Sequence, residues 1–90
     1  MELSETMFIF NLPSIDLHGL DRDSARVMIE DYIRINLKLG NEKFVIIHGV
    51  GEGILKKITH ETLKKNKNVL EYAICYNNPG STLVRLKFDK

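Results

Sequence analysis

Ninety residues, 43% of them hydrophobic and 28% charged, suffice for one small core but not two, and the balance excludes a disordered or fibrous chain. The formal net charge of +1 means that bulk charge does not by itself call for a polyanionic partner. A single cysteine, Cys75, excludes an internal disulfide, and no apolar run approaches the ~18 residues needed to span a bilayer.

Residues 1–13 read as an N-terminal extension, with polar Glu2 to Thr6, the apolar run Met7-Phe8-Ile9-Phe10 and then Pro13, ahead of a domain over 14–90. Glu2 and Glu5 stand where a signal peptide would be positive, so a cytoplasmic protein without a membrane partner is expected. Ile15-Asp16-Leu17-His18 alternates with period two and predicts a brief strand, Ile15 and Leu17 on one side, Asp16 and His18 on the other. Asp21 is a suitable N-cap, and Ala25, Met28, Ile29, Tyr32, Ile35, Asn36 and Leu39 recur at helical steps, so a helix is expected over about 22–38, closed by Gly40.

Lys43 to Ile47 is a β-branched apolar run of the kind found in a strand buried on both faces. After the glycine-rich stretch Gly49-Val50-Gly51-Glu52-Gly53, residues 54–66 read as a second helix, with Leu55, Ile58, Thr62 and Leu63 inward and the lysines mostly outward. Val69 to Tyr76 and Thr82 to Phe88 are β-type runs around the turn-forming cluster Asn77 to Ser81, which suggests a final hairpin. On the last strand Thr82, Val84, Leu86 and Phe88 should face the helices, with Leu83, Arg85 and Lys87 facing away. The order β-α-β-α-β-β, with right-handed crossovers, predicts an α/β two-layer sandwich of a four-stranded mixed sheet and two helices on one face.

The chemistry concentrates at two strand ends. Asp16 and His18 are two residues apart, so a carboxylate lies beside an imidazole and can orient it for proton transfer near neutral pH. His48 opens the glycine stretch, where Gly49, Gly51 and Gly53 permit a close approach and the backbone N–H groups at a helix start can cradle a phosphate. The spacing is G-x-G-x-G rather than the dinucleotide fingerprint, and a polymer backbone fits it better than a dinucleotide. The charge is also unevenly spread: residues 1–45 hold five basic and eight acidic side chains, residues 46–90 eight basic and four acidic. Lys56 and Lys57, one turn beyond the loop, could offset Glu52 and meet a nucleic-acid backbone there, a solvated helix face being the alternative. His60, mid-helix among polar residues, is expected to face solvent. Asp16, His18 and His48 are possible metal ligands only without a recognised spacing, so no metal site is assigned; a divalent metal stays open and the cofactor is unknown. No serine sits in a nucleophile elbow, and Cys75 lies inside a strand, which disfavours covalent catalysis.

Asp16-Leu17-His18-Gly19 and His48-Gly49-Val50-Gly51, in this order and context, resemble the two hallmarks of the small MutS-related (Smr) domain family. The likeness covers about Ile15 to Phe88. It implies a βαβαββ sandwich that binds DNA or RNA, with nicking endonuclease or ribonuclease activity. Carried over, Asp16 and His18 correspond to the first motif and His48, Gly49 and Gly51 to the second. Val50 stands where the family often has Lys, and the final turn lacks the glycine-rich sequence usual in the family. The domain often ends a longer MutS-type protein, so a monomeric stand-alone member or a fragment of such a protein is expected. The reading is phosphodiester cleavage by Asp16, His18 and His48, with the alternatives of binding without cleavage, or protein interaction through the sheet face at Leu83 or through Phe8 to Phe10.

Overall fold

The computed structural model describes residues 12–88; the expectations for Met7 to Phe10 lie outside them. The elements are β1 (Ser14–Asp16), α1 (Arg22–Leu39), β2 (Lys43–Ile47), α2 (Ile54–Lys65), β3 (Val69–Cys75) and β4 (Asn78–Leu86). They form one four-stranded sheet in the order β1-β2-β4-β3. β1 runs parallel to β2, and β4 is antiparallel to both of its neighbours. The expected mixed sheet is therefore present, with the last strand inserted between two strands that run the same way.

Each helix is fixed by its ends. Asp21 Oδ1 accepts a hydrogen bond from Ser24 N–H at 2.8 Å, which starts α1 and holds the carboxyl below its ordinary range. Gly40, at φ 77°, stops it in the left-handed conformation. The buried stripe of α1 is Ala25, Ile29, Ile33 and Asn36, which differs from the expected set in two ways: Ile33 lies outside that set, and Met28, Ile35 and Leu39 within it are exposed. This helix carries more apolar residues than one face can bury, and packing selects the arc centred on Ile29 and Ile33. Asn36 tolerates burial because its amide donates to Tyr32 O at 2.8 Å and accepts from Asn41 Nδ2 at 2.9 Å.

Both helices cover one sheet face. Leu17, Ala25, Ile29, Ile33, Phe44, Ile46, Leu63, Val84 and Leu86 form the main core between the layers. On the other face Val45, Cys75 and Leu83 make a second cluster with Leu12 and Ile47. Leu83 thus faces away from the helices, as the alternation requires, yet is only 2% exposed, which removes it as an open contact patch. Burial also raises the Cys75 pKa and keeps it a thiol.

The hairpin differs from expectation. Strand pairing resumes at Asn78, leaving Tyr76 and Asn77 as the turn. Pro79, Gly80 and Ser81 are drawn into β4 because Gly80 O accepts from His48 N and Gly49 N at 2.9 and 2.8 Å, and Ser81 pairs with Ile47. Among the described residues no helix is long and apolar enough to cross a membrane.

Candidate functional site

The parallel pairing Asp16↔Ile47, extended by Leu17 N–H donating to Ile47 O at 2.9 Å, brings both motifs to the same end of the sheet. Alternation then separates them. Ile46 and Leu17 point into the helix layer, so His48 turns toward α2, while Asp16 shares its side with Ile47. Asp16 Oδ1 accepts from His18 N–H at 2.9 Å, folding the carboxylate back over the turn that continues through Gly19 at φ 82°. Asp16 and His18 are exposed.

His48 is 6% exposed, and both of its ring nitrogens are engaged. Nδ1 lies 2.9 Å from Gly49 O, which can only accept, so Nδ1 carries the proton. Nε2 lies 2.8 Å from Thr82 Oγ1, and the same hydroxyl lies 2.9 Å from His60 Nε2. The two imidazoles meet edge to face with centroids 6.0 Å apart, and His60 also packs against Tyr72 at 5.2 Å. His60 is thus no solvent-facing bystander: from mid-α2 it reaches the central strand β4. Its helical position gave no sign of this, because the partner, Thr82, lies 22 residues further along the chain.

Two grooves open on either side of this group. One, of about 470 Å³, is lined by Asp21, Arg22, His48, Gly51, Glu52 and Gly53 among others. It brings the starts of α1 and α2 together, and Arg22, which the sequence motifs do not mark, adds a cation beside Asp21 and Glu52. The other, of about 340 Å³, follows α2 and is lined by Lys56, Lys57, His60, Glu61, Lys64 and Tyr72. Lysines beside an aromatic ring suit an anionic backbone with bases.

Within the loop the glycines have different tasks. Gly49, at φ 79°, spends its N–H on Gly80 O, and a Cβ on Gly80 would stand 3.2 Å from Gly49 Cα, so the two backbones pack directly. Gly53, at φ 84°, precedes α2 without any side-chain cap. Among the described residues the N–H groups of Gly51 and Gly53 have no acceptor, and they stand at the positive end of a helix. No group of three or more His, Cys, Asp and Glu among the described residues is arranged to hold a metal ion.

Burial, opposed in part by the Gly49 carbonyl and reinforced by Lys56, lowers the pKa of His48; burial, His48 and Lys56 lower that of His60. Both rings are therefore neutral in the fold near pH 7. An unfolded chain protonates its histidines as pH falls through about 6.5, whereas the folded one resists, so the unfolded state gains protons first and stability falls. The urea midpoint should hold steady above pH 7 and drop between pH 6.5 and 5.5, with a smaller drop in His48→Gln; equal midpoints at pH 7.5 and 5.5 would contradict this.

Comparison with known proteins extends these observations. Residues 15–87 match the Smr domain family. Endonuclease MutS2 of Geobacillus sp. (strain WCH70) is 38% identical over 72 residues, which cover 80% of this chain and 9% of that protein. Endonuclease MutS2 of Alkaliphilus metalliredigens (strain QYMF) is 36% identical over 76 residues, 81% of this chain and 10% of that protein. The chain thus spans about a tenth of these relatives. The crystal structure of the Smr domain of Thermus thermophilus MutS2 superposes with a TM-score of 0.82 at 26% identity, over 84% of this chain and 99% of that one. YdaL, a stand-alone small MutS-related protein from Escherichia coli, shares the fold at a TM-score of 0.78 and 23% identity, over 83% of this chain and 64% of that one.

Proposed function

The chain belongs to the Smr domain family, and from that premise we propose that it binds the phosphodiester backbone of DNA or RNA along its glycine loop and the lysine face of α2, and cuts it by acid/base chemistry. The observation that supports this is that the paired strands β1 and β2 end at one edge of the sheet, so that an exposed Asp16-His18 turn stands at the end from which the glycine loop, whose Gly51 and Gly53 N–H groups have no acceptor among the described residues, leads to Lys56 and Lys57. An oxygen nucleophile that attacks phosphorus must lose a proton, and the oxygen that leaves must gain one. Of the two motif imidazoles, exposed His18 suits that exchange. His48 is held by Gly49 O and Thr82 Oγ1 and serves to anchor the loop. Asp16 acts as orienter or base, and the N–H groups of Gly51 and Gly53 with Lys56 and Lys57 balance charge on the phosphate.

Incubation with end-labelled single-stranded, duplex and structured DNA and RNA, with and without divalent metal, tests the reading. Shorter products from the wild type, absent with His18→Ala, support it; intact strands under every condition refute cleavage. Affinity should fall with salt as counterions are released, and Lys56→Glu with Lys57→Glu should flatten the slope by about one per lost phosphate contact. Binding indifferent to salt would refute the backbone contact.

Binding without cleavage is the second reading. It is favoured by the capture of both His48 nitrogens, which leaves a single motif imidazole to carry two proton transfers. Salt-dependent binding with intact strands distinguishes it.

A further inference from the structure

Gly49 O accepts the only proton that a neutral His48 carries, so His48 Nε2 needs a donor. The Thr82 hydroxyl, at 2.8 Å, is that donor. Having given its hydrogen to His48, the hydroxyl offers a lone pair to His60, whose Nε2 at 2.9 Å must then carry the proton. The three bonds run in one direction: His60 Nε2–H to Thr82 Oγ1, Thr82 O–H to His48 Nε2, His48 Nδ1–H to Gly49 O. They join α2, the central strand and the first residue of the glycine loop, and they connect the two grooves lined by His48 and His60. We infer that Thr82 and His60 are positioning residues for the glycine loop, fixing which nitrogen of His48 bears the proton and thereby the conformation of Gly49. Their importance for phosphate binding rests on the reading of that loop as the phosphate seat.

The alternatives are poorer. With the proton on Nε2, the lone pair of His48 Nδ1 would face a lone pair of the Gly49 carbonyl oxygen at 2.9 Å, two acceptors with no hydrogen between them. A buried Thr82 at 0% exposure without a hydroxyl partner would strand a donor in the core. Shape alone does not account for Thr there, since Val has the same outline and no need of partners.

That contrast supplies the test. On the full chain labelled with ¹⁵N-histidine, imidazole spectra at pH 7.5 should show His48 protonated on Nδ1 and His60 on Nε2. Thr82→Val keeps the volume and removes the hydroxyl; Thr82→Ser keeps the hydroxyl and removes a methyl. Ser should preserve the His48 pattern and the Gly49 amide shift. Val should alter both and weaken single-stranded oligonucleotide binding by about tenfold or more. His60→Phe, made on the half-buried face of α2, leaves the Thr82 hydroxyl in place but frees it to turn, so it should shift the pattern in the same direction as Val by a smaller amount, and His60→Gln, which returns an amide donor, should hold it. A wild-type His48 protonated on Nε2, or Val matching or outperforming Ser in spectrum and binding, overturns the inference. A wild type that neither binds nor cuts overturns the functional reading instead, and the His48 tautomer and Gly49 shift still decide the positioning role.

Discussion

Cleavage by His18→Ala should fall by about 10²- to 10⁴-fold, the contribution of a positioned proton-transfer group, with an unchanged far-UV circular dichroism spectrum. The side chain is exposed at the end of β1, so its removal leaves the core intact. Since the loop and the lysines would still hold the backbone, the loss belongs in kcat rather than KM. Asp16→Ala should also abolish cleavage, and it differs in one respect: its Oδ1 accepts the His18 N–H at 2.9 Å, so the variant also loosens the turn. Asp16→Asn retains that acceptor and separates the two effects. Cleavage retained by both Ala variants would remove the turn from the mechanism.

Phe44→Ala should cost about 3–5 kcal/mol of folding stability, the range for deleting a buried aromatic ring. Phe44 is fully buried on β2, opposite Val84, and meets Tyr32 of α1 edge to face with centroids 5.1 Å apart. It therefore joins the sheet to the helix layer. Against a total of roughly 5–15 kcal/mol for a small domain, the loss is a large share, and each kcal/mol lowers the melting temperature by about 4–8 °C at this size. Tyr76→Ala is the control: at 88% exposure in the hairpin turn, it should stay within about 0.5 kcal/mol. Comparable melting temperatures for the two variants would show that Phe44 does not join the layers as described.

The element order was legible because its signals are local. Asp21 and Gly40 mark the ends of α1, and the β-branched run at Phe44 to Ile47 marks a strand buried on both faces. The α1 stripe was legible only in part, because Met28, Ile35 and Leu39 satisfy the helical period as well as Ile29 does, and the choice between arcs is made by the packed sheet. The motif residues were visible at both strand ends. Their environments were not: whether an imidazole is buried or exposed depends on which sheet face it follows, and His48 follows Ile46 inward. His60 and Thr82 carry no motif and meet only because β4 passes beneath α2, a fact of topology rather than of composition. The turn falls at Tyr76 and Asn77 rather than over Asn77 to Ser81 for the same reason, since Gly80 becomes strand only when His48 and Gly49 donate to it.

The lane taken by β4 has a consequence for how the molecule is assembled. β2 and β3 never touch as neighbours; the last strand lies between them and supplies hydrogen bonds to both. During synthesis the sheet therefore has an empty middle until residues 78–86 have emerged, and Phe44, Ile46 and Tyr72 must wait beside an unfilled slot. Thr82 travels with that final strand, so the core and the imidazole pair are completed by the same closing step.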